Sequence, residues 1–219
     1  MPALEIIGAP QSNYVWAVRM VCEEKGVSYE HKTDRPHTPN VDAIHPFGKI
    51  PVMRHGAVTL AESRAICRYI DDAFDGPSLV PAEPAAAAQV EQWVSIVNTH
   101  VDPVWLRQYA GAYLFPGTPD GSPNRPVIDA ALAKMEQQFA VMDRAVAGGH
   151  LAADRFTLAD MNFLPILYYM GKFPESAALR DRHANLTAYC ERHLQRPSVQ
   201  ATIPQQTPAQ AVADAARAA

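Results

Sequence analysis

The spacing of apolar positions changes several times along the chain, and each change predicts an element. Ala3 to Ile7 is a short apolar run closed by Gly8-Ala9-Pro10, the pattern of a buried strand. Ser12 or Asn13 then offers an N-cap. Val15, Val18, Val21 and Cys22 recur at helical spacing up to Lys25, and Gly26 stops the helix. Val27 to Lys32 reads as a second strand, so the opening predicts a βαβ unit with a right-handed crossover. Thr33 to His45 is polar and carries prolines, which predicts a loop with at most one short helix. Val52-Met53-Arg54 and Ala57-Val58-Thr59-Leu60 flank His55-Gly56, a two-residue hairpin turn. Ile66, Tyr69, Ile70 and Ala73 then share one face of a third helix, from about Ser63 to Phe74.

This order, βαβ then loop then ββα, predicts a small α/β domain of thioredoxin-like arrangement, a four-stranded mixed sheet with three helices. Asp75 to Pro84 holds Gly76, Pro77, Pro81 and Pro84 and is the clearest linker. The expected division is a first domain over 1–76, a linker over 77–84 and an all-α helical-bundle domain over 85–219. Ala85 to Tyr113 reads as one long helix that Pro103 should kink or break. Ile128, Leu132, Met135, Phe139, Met142 and Val146 step by four and three, a core-facing stripe that Gly148-Gly149 ends. Thr157 and Asp160 make a capping-box variant, with Phe156 and Met161 placed as a hydrophobic staple. Pro165 predicts a kink in that helix. A further helix spans Leu179 to Gln195 and ends at Arg196-Pro197-Ser198. The tail from Thr202 shows no apolar stripe and reads as surface-laid or frayed.

The candidate chemistry gathers around Phe47-Gly48-Lys49-Ile50-Pro51-Val52-Met53 and Leu60-Ala61-Glu62-Ser63-Arg64. Pro51 has no N–H for a sheet ladder and suits the first residue of a strand. After a glycine turn it is a candidate cis-proline, which would turn the backbone of Ile50 toward a ligand. Ser63 stands at a helix start, where free N–H groups and the macrodipole favour an anion. The two pieces suit an extended peptide carrying a carboxylate. They also suit a structural turn followed by an ordinary helix cap.

Composition narrows the function classes. The chain has 219 residues, 48% hydrophobic and 19% charged, ordinary for a globular protein. A formal net charge of −4 without a basic stretch argues against a nucleic-acid partner. No apolar run approaches a bilayer span, and the start of the sequence lacks a signal-like pattern, so the expected location is cytoplasmic, off the membrane. Cys22, Cys67 and Cys190 are far apart and are expected to pack as small apolar residues. The eight histidines show no ligand spacing, so no metal is expected.

A small βαβ–ββα domain joined by a Pro-rich linker to helices resembles the cytosolic glutathione transferase family. Particular residues carry the resemblance. Gly8-Ala9-Pro10-Gln11-Ser12 looks like the Gly-x-Pro-x-Ser stretch of serine-type members. Pro46-Phe47-Gly48-Lys49-Ile50-Pro51 and Glu62-Ser63-Arg64-Ala65-Ile66 look like the glutathione-site signatures. Phe156 to Met161, with Leu164-Pro165 after it, looks like the capping segment of the family's sixth helix, and Arg196-Pro197-Ser198 like a common ending of its later helices. The nearest class by motif is Phi-like.

The resemblance implies glutathione as co-substrate, its thiolate being the nucleophile. A thiol of pKa about 8.5 is lowered by roughly one to five units at a helix N-terminus. Ser12 would donate its O–H to the sulfur and favour the anion; Asn13 is the fallback, and Tyr14 ranks third. Ile50, ahead of Pro51, would pair its backbone with the cysteinyl part, as peptides add to a sheet edge. Ser63 would take the γ-glutamyl carboxylate, Glu62 the γ-glutamyl amine, and His37 or Lys49 the glycyl carboxylate. Trp105, Tyr109, Tyr113, Phe115 and Tyr169 are candidates to line the pocket of a small hydrophobic electrophile, expected between the domains. The implied activity is conjugation of hydrophobic electrophiles, with a detoxifying role, or reduction of peroxides, in a two-fold homodimer. A glutathione-dependent isomerase or dehalogenase, and a non-catalytic binding protein of the same fold, are the alternatives.

Overall fold

Four strands, β1 (Leu4–Ile7), β2 (Tyr29–Lys32), β3 (Val52–His55) and β4 (Val58–Ala61), form one mixed sheet in the order β2-β1-β3-β4. The computed structural model describes residues 3–206. β1 runs parallel to β2, with α1 (Asn13–Lys25) as the crossover. β3 is antiparallel to both β1 and β4. α2 (Pro39–Asp42) and α3 (Ser63–Ala73) complete the expected arrangement of four strands and three helices. The strand ends differ slightly from the sequence reading: β2 begins at Tyr29 rather than Val27, and β4 runs on to Ala61.

The register explains why one end of this sheet carries chemistry. Ile7, at the end of β1, pairs with Lys32 at the end of β2 and with Val52 at the start of β3. Val52 in turn pairs with Ala61 at the end of β4. The segments after β1, before β3 and after β4 therefore leave the sheet at the same end. α1 and α3 pack together below it. Lys25 and Asp71, both nearly inaccessible, join the two helices: Lys25 Nζ donates to the Asp71 carbonyl at 2.8 Å and to Oδ1 at 3.2 Å. Asp71 Oδ1 also accepts the Leu79 N–H at 2.9 Å. A buried ion pair contributes when its remaining lone pairs are satisfied in this way.

The helical unit begins with α4 (Pro84–Ile96), whose first N–H groups, of Ala85 and Ala86, donate to the Glu83 carboxylate at 2.9 and 2.7 Å. Of the kink or break expected at Pro103, the chain shows no break but a change of helix type. It continues as π-helix over Val97–Val101 and Pro103–Ala110, and then as α5 (Gly111–Leu114). Proline clashes with the carbonyl four residues back, and the wider turn, with bonds spanning five residues, avoids that contact. Asp102 N–H donates to Val97 O, five residues back. The Asp102 carboxylate takes Arg107 Nε at 2.8 Å and Nη2 at 3.1 Å, a pair at the same spacing.

α6 (Arg125–Ala145) is capped by Asn124 and buries Ile128, Met135, Phe139 and Met142 of the expected stripe, with Leu132 half-buried and Val146 just past the helix end. α7 (Leu158–Met170) runs through Pro165 and is buried almost throughout. The helix expected from Leu179 to Gln195 is two helices, α8 (Pro174–Asp181) and α9 (Ala184–Leu194). The reason is long-range. Asp143 on α6 accepts the Leu186 N–H at 3.0 Å and Asn185 Nδ2 at 3.0 Å, so a helix start is satisfied there by a side chain the local sequence cannot show.

The chain then leaves this unit. Two compact units emerge, residues 3–80 with 195–206, and residues 81–194. The expected second domain of 85–219 is thus corrected at its end, because α10 (Pro197–Thr202) packs on α1. Trp16 Nε1 donates to Thr202 Oγ1 at 2.9 Å, and Arg19 Nη1 to Thr202 O at 3.1 Å. Arg196 grips the Glu24 carboxylate with two bonds of 2.9 Å. Thr202 is fully buried, not the start of a surface segment; the remainder of the expected tail, from 207, lies outside the described residues.

Asp160 is a fully buried carboxylate of the helical unit. Its oxygens accept the Thr157 N–H at 2.9 Å, the Leu151 N–H at 2.7 Å and the Tyr189 hydroxyl at 2.9 Å, with no exposure to solvent. Asp160→Ala strands these donors, each a loss of about 1–3 kcal/mol. We expect a fall in unfolding free energy of about 3 kcal/mol or more in urea titrations, with the binding properties of the folded fraction unchanged.

Candidate functional site

The site builds outward from the shared sheet end. β1 ends at Ile7, and Gly8 follows with φ +153°. A Cβ on Gly8 would lie 3.1 Å from Ile50 Cβ and 2.6 Å from Val15 Cγ2, so only glycine lets the β1–α1 turn meet Ile50 and α1 this closely. The Ile50 side chain packs against the cluster of Ile7, Val41 and Val52. Ile50 is half-buried, and among the described residues no backbone bond uses its N–H or C=O. The Ile50–Pro51 peptide is cis.

Ser12 is the N-cap of α1. Its Oγ accepts the Val15 N–H, at a long 3.4 Å. That contact uses a lone pair and leaves the hydroxyl proton available, and no acceptor takes it among the described residues. Ser12 is half-buried, whereas Asn13 is 4% exposed and faces the interior. Tyr14 is half-buried one residue further into the helix.

Glu62 precedes α3 with φ +68°, a conformation that costs a non-glycine residue about 1–3 kcal/mol. Its carbonyl accepts the Ile66 N–H at 3.0 Å, but no side chain caps α3. α1, α4 and α6 all have such a cap. The start of α3, with Ser63 as its first residue, is thus open to an external acceptor. His37 and Lys49 flank the turn at Gly48. His37 N–H donates to Gly48 O at 2.9 Å, and a Cβ on Gly48 would lie 2.2 Å from His37 Nδ1. Both side chains are exposed. So Ser12, Ile50, Pro51, Glu62 and Ser63 converge on one sheet end, with His37 and Lys49 on the adjoining turn.

The protein's own thiols take no part in this site. Cys22, Cys67 and Cys190 are buried and free. Burial pushes the Cys67 thiol up to about 12 and Cys190 to about 11, and raises Cys22 as well. Such thiols are poor nucleophiles. Among the described residues no group of three or more His, Cys, Asp or Glu is placed to hold a metal.

In the helical unit the five aromatic candidates separate. Trp105 is fully buried and stacks on Phe139 at 4.0 Å between centroids. Tyr109 and Tyr169 are buried too, and burial raises both phenols. Tyr113 is half-buried and Phe115 is 71% exposed. The Tyr109 hydroxyl donates to Glu175 Oε2 at 3.0 Å, Tyr113 donates to the same oxygen, and Arg125 Nη1 donates to Oε1 at 2.5 Å. Burial alone would raise the Glu175 carboxyl, but Arg125 and the two hydroxyls hold it at about 2. Glu175 and Arg125 were not legible as partners of Tyr113, because 62 and 12 residues separate them from it along the chain.

Comparison with known proteins decides the family. The glutathione S-transferase N-terminal domain model matches residues 6–78, and the C-terminal domain model matches residues 92–197. The chain belongs to the glutathione S-transferase family. Glutathione S-transferase 3 of Zea mays is 30% identical over 214 residues, covering 93% of this chain and 94% of the maize protein. A glutathione S-transferase of Silene vulgaris is 29% identical, covering 91% and 96%. Among solved structures, glutathione S-transferase III in apo form has a TM-score of 0.79 at 32% identity, covering 92% of this chain and 95% of that one. Glutathione transferase F7 of Populus trichocarpa has a TM-score of 0.79 at 27% identity, covering 91% and 97%. The N-terminal model spans every sheet-end residue named above, and the C-terminal model spans the five aromatic candidates.

The positive φ at Glu62 makes a direct prediction about this family member. Glu62→Gly should be more stable than Glu62→Ala by about 1 kcal/mol, since glycine alone is unstrained there. Chemical denaturation of the two variants measures the difference.

Proposed function

We propose that this chain is a glutathione transferase that presents the glutathione thiolate to small hydrophobic electrophiles, or spends it in reducing peroxides. The observation that carries the reading is the convergence at the sheet end: an available hydroxyl proton on Ser12 at the start of α1, the unused backbone of Ile50, and the uncapped start of α3. Glutathione is an extended tripeptide with a thiol, two carboxylates and an amine, and the site offers a partner for each. Ile50 pairs with the cysteinyl unit in the manner of a strand added to an edge. Ser63 and the N–H groups of α3 take the γ-glutamyl carboxylate. Glu62 takes the γ-glutamyl amine, and Lys49, with His37 beside it, takes the glycyl carboxylate.

In conjugation the sulfur anion attacks an electrophilic carbon, a C–S bond forms and the leaving group departs with its electron pair. The protein's part is to keep the sulfur ionised and to hold it in place. Ser12 donates to the sulfur, and the first turn of α1 adds its positive end. Asn13 is less available for this role because it is buried. For the electrophile, Tyr113 and Phe115 present accessible aromatic surface, with Trp105, Tyr109 and Tyr169 packed in the helical unit. A Phi-like enzyme of this kind works as a two-fold homodimer, and the ring of Phe47, 72% exposed in the single chain, is apolar surface for a second copy. Three free cysteines suit a reducing compartment such as the cytoplasm. Among the described residues no helix is long and apolar enough to cross a membrane.

Retention on glutathione–agarose together with conjugation of a chlorodinitrobenzene-type substrate tests the reading; retention without turnover of any electrophile favours a non-catalytic binding protein. A second test is chemical. Ser12→Ala should raise the pKa of bound glutathione by about one unit, read from thiolate ultraviolet absorbance against pH. A raised pKa lowers the thiolate fraction below that pKa and leaves it unchanged well above. Turnover should therefore fall about tenfold at pH well below the wild-type pKa of the bound thiol, less near it, and recover as pH rises, with stability lowered by no more than about 1 kcal/mol. An unchanged absorbance titration passes the role to Asn13 or Tyr14.

A further inference from the structure

His45 is a buried polar group beside this site that the assignments above leave without a task. It lies in the turn between α2 and β3, and its side chain is 3% exposed. Its Nδ1 accepts the Phe47 N–H at 3.0 Å. A nitrogen that accepts carries no proton, so the neutral ring holds its proton on Nε2. Nε2 stands 3.3 Å from Glu62 Oε1, across from the turn before β3 to the end of β4. The Glu62 side chain is otherwise 74% exposed, and among the described residues His45 is its one charged or polar partner. An exposed glutamate populates several rotamers, and a buried ring within ion-pair distance narrows them before any ligand arrives.

We propose that His45 is a positioning residue: its Nε2–H holds the Glu62 carboxylate where it meets the ammonium group of the γ-glutamyl end of glutathione. The proposal rests on the glutathione reading and deepens it. The Phe47 N–H fixes the histidine tautomer, the histidine fixes the glutamate, and the glutamate recognises the amine. A carboxylate aimed in advance at an ammonium group discriminates glutathione from a thiol peptide that lacks that amine.

Two amide substitutions separate the two ring nitrogens. His45→Asn places its amide near Nδ1, retaining an acceptor for the Phe47 N–H while withdrawing the donor from Glu62. His45→Gln places its amide nitrogen near Nε2 and retains that donor. Calorimetric titration of the full chain with glutathione and with a desamino analogue, in which hydrogen replaces the γ-glutamyl amine, is the readout, alongside KM and kcat. H45N should weaken glutathione binding about tenfold and raise its KM alike, as loss of a charge-assisted contact does. The analogue should bind wild type and H45N equally, kcat and the electrophile KM should not move, and H45Q should bind glutathione within about twofold of wild type. Glu62→Gln should cost the same discrimination, and H45N added to it should cost no more. H45N that distinguishes glutathione from the analogue as strongly as wild type overturns the role of His45 alone. Should H45N fail to fold, H45Q binding as poorly as Glu62→Gln overturns it equally. Wild type that binds neither peptide overturns the glutathione reading and this inference with it.

Discussion

The near-contact of Gly8 with Ile50 is the constraint on which the site depends. Two segments 42 positions apart in the numbering meet there, and no side chain fits between them. The approach is possible because Ile50 spends its side chain on the Ile7, Val41 and Val52 cluster, while β1 and β3 pair in register beneath it. Ile50 is half-buried there, so its packing contributes part of the about 1.5–3 kcal/mol of a fully buried side chain and favours this facing. Its backbone N–H and C=O, which no backbone bond uses among the described residues, then lie next to the turn that leads into α1.

Two helix starts at that sheet end differ in how they are finished. α1 is closed by Ser12, whose oxygen accepts a helix N–H while its proton has no acceptor among the described residues. A hydroxyl in that state can donate to an anion without being a nucleophile. α3 has no side-chain cap, and the residue before it, Glu62, sits in a strained backbone conformation. An uncapped start leaves N–H groups for a carboxylate, and the strained residue projects its own carboxylate nearby. The protein's cysteines are buried and have raised pKa values, so none is a good nucleophile.

The helical unit is governed by side chains that satisfy one another over long sequence distances. Asp160 ties the start of α7 to Leu151 and Tyr189. Asp143 lets α9 begin where a continuous helix was expected. Glu175, held ionised by Arg125, takes the hydroxyls of Tyr109 and Tyr113 and so sets two of the aromatic candidates. Asp102 and Arg107 fit the wider turn through which the chain passes Pro103. In each case a carboxylate decides a local conformation that propensity alone left open.

Sequence by itself determined the elements whose signals are local. The apolar run of β1, the turn at Gly48-Lys49-Ile50-Pro51, the Thr157–Asp160 box and the stripe of α6 each lie within one stretch of chain, and period and cap chemistry suffice to read them. Motifs in the right order also carried the family and the sheet-end residues Ser12, Ile50, Glu62 and Ser63. Tertiary structure decided the rest. It placed α10 against α1, divided the helix near Arg182, kept the chain helical through Pro103, and sent Trp105 to the core while leaving Phe115 exposed. It also brought the buried ring of His45 to Glu62. These outcomes depend on which distant group fills a hydrogen-bonding or packing vacancy, and no window of sequence contains both partners.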